Sequence, residues 1–257
     1  MRRAAADMTA DTTATTEMTA ERFRRAEALL GAEAMETLKN SHVAVFGLGG
    51  VGSWAAEALA RAGIGSLTLV DFDEVSETNI NRQLLALGST VGQPKALLAA
   101  ARARDINPEA RIFPIVEKYS AETRERLLKP EYSFIVDAID LVSCKLDLIE
   151  SAQAMEIPIV SCLGTGNRLR SDGFRVTDIS KTQYDPLARV VRKELRKRGI
   201  GHCPVLWAPG EAEKPGETDE APPEGRRSIP GSVSWVPAAA GLKLTEYAVL
   251  SLLHINY

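Results

Sequence analysis

A glycine-rich turn between an apolar segment and an alanine-rich segment constrains the fold of this chain more than any other feature. Residues 42–46 read His-Val-Ala-Val-Phe, and Gly47-Leu-Gly-Gly-Val-Gly52 follows at once. Residues 51–62 then have the composition of a helix. A GxGxxG turn between a strand and a helix brings backbone amides and the helix dipole to a phosphate group. The turn therefore predicts a nucleotide-binding unit that begins at residue 42.

Short apolar segments alternate with helical segments before residue 166. The pattern predicts helices over 21–39, 51–62, 94–105 and 144–155, and strands over 42–46, 66–71, 111–116, 133–140 and 158–162. The strands are apolar on both faces, which is typical of parallel strands covered by helices on both sides. We therefore expect an α/β fold with a doubly wound, mostly parallel, Rossmann-like sheet.

The sequence changes character after residue 164. It predicts a further strand, parallel or antiparallel, then a basic helix, a polar loop and a closing helix, over 174–179, 186–198, 204–230 and 237–253. We expect one domain over 21–257, with a nucleotide-binding core at 21–166 and a C-terminal extension at 167–257 that packs on the same sheet. Residues 1–20 are expected to form a disordered tail.

Composition limits the classes of function that are open to the chain. The formal net charge is −3, so contact with nucleic acid requires a local basic patch. The three cysteines are widely spaced, which excludes a four-cysteine zinc site and favours a reducing cytoplasm. We expect no signal peptide, because the first twenty residues contain no leucine-rich apolar run. We expect no membrane span, because the apolar residues 237–253 include Lys243 and Glu246 and are too few.

Charged residues after the glycine turn favour a triphosphate ligand. Asp71, nineteen residues after the last glycine of the turn, is placed to accept hydrogen bonds from ribose hydroxyls. Arg82 and Lys95 supply cations that neutralise a triphosphate and stabilise the charge of adenylyl transfer. Asp140 ends the fourth predicted strand, where a carboxylate can hold magnesium. Taken singly, these residues also fit two solvated cations and a helix N-cap.

Together these motifs resemble the ubiquitin-activating-type superfamily, which includes MoeB and ThiF. The shared motifs are the glycine turn, Asp71-Phe-Asp73, Thr78-Asn-Ile-Asn-Arg-Gln83, Lys95 and Asp137-Ala-Ile-Asp140, and the resemblance covers residues 22–166. It implies that the chain adenylates a carboxylate with ATP and magnesium. It further implies magnesium at Asp140 and a nucleotide held by Gly47, Gly49, Gly50, Gly52, Asp71, Asn79, Arg82, Gln83 and Lys95.

The segment Arg22-Phe-Arg-Arg25 resembles the first helix of the same superfamily, from which an arginine reaches the ATP of the partner subunit. Arg25 is the residue that matches this arginine best. The resemblance therefore implies a homodimer. The catalytic residues that it implies are Arg25, Arg82, Lys95 and Asp140.

Residues 176–199 indicate which group within the superfamily the chain resembles most. MoeB and ThiF carry paired CxxC zinc motifs, which this chain lacks. Residues 176–199 instead resemble the tRNA threonylcarbamoyladenosine dehydratase family, whose members use ATP to cyclise the threonylcarbamoyl group beside the anticodon. The helix predicted over 186–198 agrees with this branch, because a row of cations at helical spacing can contact a phosphate backbone. The row consists of Arg189, Arg192, Lys193, Arg196 and Lys197.

The resemblance implies a tRNA carrying threonylcarbamoyladenosine as the substrate and an acyl adenylate as the intermediate. Three alternatives stay open: activation of the C-terminus of a ubiquitin-like sulfur-carrier protein, an NAD-dependent oxidoreductase, and a nucleotide-binding regulator without turnover. A sulfur-transfer partner also stays open. Cys162 is expected to be a buried apolar residue, whereas the role of Cys203, beside His202, is undecided from sequence.

Overall fold

The structure is a computed structural model that describes residues 21–214, 216 and 230–257. The predicted disordered tail, residues 1–20, lies outside the described residues. The strands are β1 (His42–Phe46), β2 (Ser66–Val70), β3 (Arg111–Ile115), β4 (Phe134–Asp137), β5 (Ile159–Cys162), β6 (Arg175–Asp178) and β7 (Pro204–Trp207). They form one sheet in the order β3-β2-β1-β4-β5-β7-β6, in which only the β6–β7 pair is antiparallel among the described strands.

Helices cover both faces of this sheet. They are α1 (21–30), α2 (Ala32–Lys39), α3 (Gly52–Arg61), α4 (Lys95–Ile106), α5 (Arg124–Leu127), α6 (Val142–Ala154), α7 (Pro186–Lys197) and α8 (Trp235–Leu252). One core contains side chains of α3, α4 and α8, and a second core on the other face contains side chains of α6 and α7. The doubly wound α/β fold predicted from the sequence is confirmed. Among the described helices, none has the length and apolarity needed to cross a bilayer.

The strand order places a switch point between β1 and β4. The chain runs from β1 outwards through β2 and β3, and then returns to pair β4 with the free side of β1. The carboxyl ends of β1 and β4 therefore leave the sheet side by side and diverge. Ligands of open α/β sheets bind in the crevice at such a point. The glycine turn after β1 lies there.

The C-terminal extension completes the sheet and also covers the helix that follows the glycine turn. Strand β7 inserts between β5 and β6, and α8 packs against α3. A Cβ atom on Gly241 would lie 2.4 Å from the carbonyl oxygen of Val51, so the two helices approach closely only because residue 241 lacks a side chain. The extension thus buttresses the nucleotide-binding core.

The prediction of a polar loop over 204–230 is wrong at its start. Residues 204–207 form β7, and Val205, Leu206 and Trp207 are buried. Pro204 is tolerated because it is the first residue of its strand. Four apolar residues beside an acidic, proline-rich stretch gave too short a pattern to be recognised as a strand. Residues 215 and 217–229 of the predicted loop lie outside the described residues.

Two further boundaries differ from the predictions. The helix predicted over 21–39 is interrupted at Gly31, whose φ of +88° breaks helical geometry. The strand predicted over 133–140 ends at Asp137, because the Asp137 carboxylate accepts a hydrogen bond from the backbone N–H of Ile139 and turns the chain. Asp140 therefore lies in the loop before α6 and does not end β4.

Candidate active site

The turn after β1 is packed so closely that two of its positions require glycine. Gly47 has a φ of +87°, and a Cβ atom there would lie 2.7 Å from the carbonyl oxygen of Ala138. A Cβ atom on Gly52 would lie 1.7 Å from the carbonyl oxygen of Gly47. Gly49 is different, because the one atom near its Cβ position is the Gln83 amide nitrogen, at 3.9 Å. The turn is therefore tight on its inner side and open at Gly49.

Asp71, the first residue after β2, fastens this turn. Its Oδ2 atom accepts a hydrogen bond from the backbone N–H of Leu48 at 2.5 Å, and its Oδ1 atom accepts one from the backbone N–H of Asp73 at 2.8 Å. Burial raises the pKa of the Asp71 carboxyl above its ordinary value, and the two backbone donors oppose that shift. Each oxygen keeps a lone pair for a further donor, such as a ribose hydroxyl.

The segment 76–83 contributes the side chains of Asn79 and Arg82, and that of Gln83, which is described below. The Asn79 Oδ1 atom accepts a hydrogen bond from the backbone N–H of Ser76 at 3.2 Å and so shapes the 3₁₀ turn Glu77–Asn79. The Arg82 guanidinium donates to the backbone carbonyl of Thr78 at 2.8 Å, and its side-chain stem lies beside Gly50. Arg82 therefore borders the glycine turn, whereas Asn79 shapes the segment that holds Arg82.

Gln83 is buried against the open side of the turn. Its Oε1 atom accepts no hydrogen bond from any described residue. A buried acceptor without a donor is costly, and the Gln83 amide lies next to Gly49. The amide is therefore placed to bind a ligand that reaches the turn.

Lys95, the first residue of α4, reaches the same region through an acid that the sequence prediction did not assign. The Lys95 side chain is almost fully buried, and its Nζ atom lies 3.0 Å from Oδ2 of Asp73. Asp73 is about half exposed and donates its backbone N–H to Asp71. Asp73 belongs to the Asp71-Phe-Asp73 motif, which was the signal in the sequence. Lys95, Asp73 and Asp71 thus form one connected set.

Asp140 lies exposed in the loop that joins β4 to α6. The same loop contacts the turn, because Ala138 lies against Gly47. In the described part of the chain, no three metal-ligating side chains form a cluster. Magnesium usually keeps several waters and takes only one or two carboxylates beside the substrate phosphates. A single accessible carboxylate beside the turn fits that chemistry.

Beneath this loop lies a buried polar trio that the sequence reasoning missed. The Lys145 Nζ atom lies 2.6 Å from Oδ2 of Asp137 and donates to Oγ of Ser161 at 3.0 Å. The Ser161 hydroxyl donates to the same Asp137 oxygen at 2.5 Å. All three side chains are fully buried. The available signal was a lone lysine on the buried face of a helix, since buried charges need partners.

Arg25 is not among the residues that surround the turn. It is exposed on α1, and its neighbours hold that helix at the opposite edge of the sheet. Arg22 donates to the carbonyls of Asp105 and Ile106 at the end of α4, and Phe23 lies near Gly63, just after α3. Arg25 therefore faces outwards from a different part of the surface than the glycine turn.

Helix α7 presents four of its five predicted cations to solvent. The exposed residues are Arg189, Lys193, Arg196 and Lys197. Arg192 is the exception, because its guanidinium donates to the carbonyl and the hydroxyl of Thr182 at 2.8 and 2.6 Å. The predicted row of five cations therefore consists of four exposed side chains and one arginine that is bound to its own chain.

The cysteines are not nucleophiles in this structure. All three are buried, and burial raises the pKa of the Cys162 and Cys203 thiols to about 12. Thiols of this kind stay protonated at neutral pH and are inert. The expectation for Cys162 is confirmed, and Cys203, which was undecided from sequence, is also a buried thiol.

Fold and site together define a doubly wound α/β protein with a glycine turn of the type that binds nucleotides and with Arg82 and Lys95 close to that turn. A model of the ThiF family matches residues 23–194, which is more than half of the chain. The chain therefore belongs to the ThiF family, as its motifs predicted.

Within that family, the chain is similar to a particular group of tRNA-modifying enzymes. It is 43% identical to the tRNA threonylcarbamoyladenosine dehydratase of Bacillus subtilis over 90% of this chain and 94% of that protein. The crystal structure of Escherichia coli tRNA N6-threonylcarbamoyladenosine dehydratase in complex with ATP superimposes with a TM-score of 0.83 at 34% identity, covering 91% of this chain and 95% of that one. The molybdopterin-synthase adenylyltransferase of Salmonella typhimurium is 35% identical over 63% of this chain and 62% of that protein.

Proposed function

We propose that this chain is an ATP-dependent adenylating enzyme that dehydrates threonylcarbamoyladenosine in tRNA to its cyclic form. The observation that carries this proposal is the convergence of a glycine turn, Asp71 and Lys95 at one edge of a sheet whose shape matches an ATP-bound dehydratase over almost the whole chain. Similarity over nearly the full length of the Bacillus dehydratase supports the same reaction in this chain.

The reaction has two steps. A carboxylate oxygen of the threonylcarbamoyl group attacks the α-phosphorus of ATP, which forms an acyl adenylate and releases pyrophosphate. The carbamoyl group then attacks the activated carbonyl carbon and loses an N–H proton to solvent. The bond between that carbon and the oxygen of the phosphate breaks, and AMP leaves. In this proposal Asp71 orients the ribose, the open turn at Gly49 receives the phosphates, and Arg82 with Lys95 offsets negative charge that develops in the first step.

Magnesium fits the carboxylate of Asp140, which would hold it beside the phosphates. When bound, the ion supplies positive charge at the phosphate oxygens. Asp140 is held in place by the loop that contacts the glycine turn, and that loop begins at the buried Asp137.

The tRNA and the second subunit are further parts of the proposal. The exposed cations of α7 contact the tRNA backbone, and Arg25 completes the site of a partner in a homodimer. The position of Arg25 away from its own glycine turn supports the second point. Mixing inactive Arg25→Ala and Lys95→Ala proteins should restore part of the activity if subunits exchange. An absence of recovery after confirmed exchange would place Arg25 in its own site.

A sulfur-transfer partner would require an accessible cysteine thiol, and each of the three cysteines in the chain is buried. A tRNA substrate and unpaired cysteine thiols both fit an enzyme of the cytoplasm.

Release of pyrophosphate from ATP tests the proposed function. Three substrates are compared: tRNA that carries threonylcarbamoyladenosine, the same tRNA without the modification, and a ubiquitin-like carrier protein with a free C-terminus. Stoichiometric pyrophosphate and AMP should appear with the modified tRNA alone. Release with the carrier protein and not with tRNA would favour the second candidate function, activation of a carrier protein. The similarity to molybdopterin-synthase adenylyltransferase supports this second candidate.

A further inference from the structure

A surface cavity of about 360 Å³ lies beside the N-terminal end of α7. Ligand-binding clefts in proteins begin at about this size. Its lining combines two cations with two aromatic rings, and none of these residues takes part in the site around the glycine turn. The lining includes Arg175, Lys181, Gln183, Tyr184, Trp207 and Pro209. We call it the Tyr184 cavity.

The inner wall of the Tyr184 cavity is rigid. The guanidinium carbon of Arg175 lies 5.3 Å from the centre of the Trp207 ring, which is a cation–π contact between neighbouring strands. The indole N–H of Trp207 donates to the carbonyl of Gln183 at 3.0 Å, which ties the wall to the segment before α7. Because Trp207 is almost fully buried, the Arg175 guanidinium above its ring is the part of this wall that a ligand can contact.

Tyr184 forms the outer wall and is held away from the core. Its side chain is 71% exposed, and its φ of +57° is in the left-handed region, which is strained for an aromatic residue. The next residue, Asp185, fixes the start of α7, because its carboxylate accepts a hydrogen bond from the backbone N–H of Ala188 at 3.0 Å. An exposed ring on a strained and anchored backbone is available for stacking.

The Tyr184 cavity opens at the edge of the sheet that carries the glycine turn. The register aligns Asp137 with Ser161 and Cys162 with Leu206, so Trp207 follows at the carboxyl ends of the parallel strands. Strands β7 and β6 lie two and three positions from β4, which is roughly 10–15 Å at ordinary strand spacing. A few nucleotides of extended RNA bridge that distance from the loop that holds Asp140.

We propose that the Tyr184 cavity binds an unpaired nucleotide of the tRNA substrate, close to the nucleotide that is modified. The base stacks between the Tyr184 ring and the Arg175 guanidinium, and Lys181 contacts the phosphate. Stacking on an aromatic ring or an arginine plane, with cations along the backbone, is how proteins hold single-stranded RNA loops without strong sequence preference. Arg189 lies in the first turn of α7, at the end beside the cavity, and the exposed Lys193, Arg196 and Lys197 follow along the same helix. This inference rests on the proposed tRNA substrate.

Fluorescence anisotropy with two labelled RNA probes tests the proposal. One probe is the anticodon stem-loop, and the other is a blunt RNA duplex with the same number of phosphates. Tyr184→Ala should weaken binding of the stem-loop by about tenfold or more, because one stacked base is lost, and should leave duplex binding unchanged. Tyr184→Phe keeps the ring and should bind as the wild type does. Tyr257→Ala, which removes a half-exposed ring elsewhere, is the matched control, and thermal unfolding confirms that all variants fold.

The outcomes separate this inference from the proposed function. If the wild type binds the stem-loop and Tyr184→Ala binds it equally well, the Tyr184 cavity is not a nucleotide site, although the tRNA substrate stands. Equal weakening for both probes would assign Tyr184 to the phosphate backbone and overturn base stacking. Binding of free uridine monophosphate that Tyr184→Ala abolishes, with stem-loop binding unchanged by the same substitution, would identify a free nucleotide, not RNA, as the occupant. A wild type that binds neither probe would overturn the inference and the tRNA substrate together.

Discussion

Two lysine–aspartate pairs lie near the same edge of the sheet and differ in their access to solvent. Lys95 and Asp73 are 3.0 Å apart, and the Asp73 side chain is about half exposed. Lys145 and Asp137 are 2.6 Å apart, and both side chains are fully buried. A lysine whose acid is open to water can exchange that partner for a phosphate, whereas a wholly buried lysine cannot. We infer that the first pair serves the reaction and the second holds the loop before α6.

The largest expected effect comes from breaking the buried pair. Lys145→Met leaves the Asp137 carboxylate without its cation, and removing one partner of a buried pair costs about 3–5 kcal/mol of the free energy of unfolding. Denaturant titration measures this loss. The double variant Asp137→Leu with Lys145→Met removes both charges and should recover a large part of the stability. A single variant as stable as the wild type would show that the pair is not a buried ion pair in solution.

Disrupting the Lys95–Asp73 pair, whose acid is open to water, should lower activity strongly and stability only a little. Lys95→Met should slow adenylation by about a hundredfold to a thousandfold, the usual cost of losing one group that stabilises transition-state charge, with a much smaller change in unfolding free energy than Lys145→Met. Pyrophosphate release measures the rate. Lys39→Met, which removes a lysine from the exposed pair with Glu109, is the matched control and should keep full activity. Normal adenylation by Lys95→Met would remove the functional contrast between the pairs.

The two pairs also show what the sequence could and could not predict. The glycine turn, Asp71 and Lys95 were found because a motif of fixed spacing forces them to one edge of the sheet. The ion pairs of Asp73 with Lys95 and of Asp137 with Lys145 were not predicted, because each joins the end of a strand to the helix that follows it and depends on the folded geometry. The contact of Arg192 with Thr182 was not predicted for the same reason, since Thr182 lies on a separate turn.

Helix α7 also combines cations that are exposed to solvent with one that is bound to its own chain, and we expect a smaller effect of substitutions there. Replacing the exposed Arg189, Lys193 and Arg196 with Ala should weaken tRNA binding and flatten its salt dependence, by roughly one unit of slope per lost phosphate contact. Arg192→Ala, in which the lost guanidinium is bound to its own chain, should leave that slope nearly unchanged. Filter binding across a salt series measures both. An equal change of slope in Arg192→Ala would place its guanidinium on the RNA.

The smallest expected effect concerns Asp71, which connects the Lys95–Asp73 pair to the glycine turn. Burial raises the pKa of its carboxyl, and the ionised form is the better acceptor for ribose hydroxyls. Protonation therefore begins at a higher pH than for an ordinary aspartate, and adenosine affinity should start to fall before the pH reaches the ordinary aspartate pKa of about 3.9. Calorimetry with adenosine and with dideoxyadenosine, which lacks the hydroxyls, measures the difference. If the affinities for both ligands changed with pH in the same way, Asp71 would not bind the ribose hydroxyls.

The central claim is that the substrate carboxylate becomes an acyl adenylate, and the fate of its oxygen atoms tests this most directly. Modified tRNA is prepared with isotopically labelled oxygen in the carboxylate, and the products of a single turnover with ATP and magnesium are analysed by mass spectrometry. The mechanism predicts cyclic product together with AMP that carries one labelled oxygen on its phosphate, because the carbonyl–oxygen bond breaks when the ring closes. Labelled inorganic phosphate together with ADP, or AMP without label, would contradict adenylation of the carboxylate.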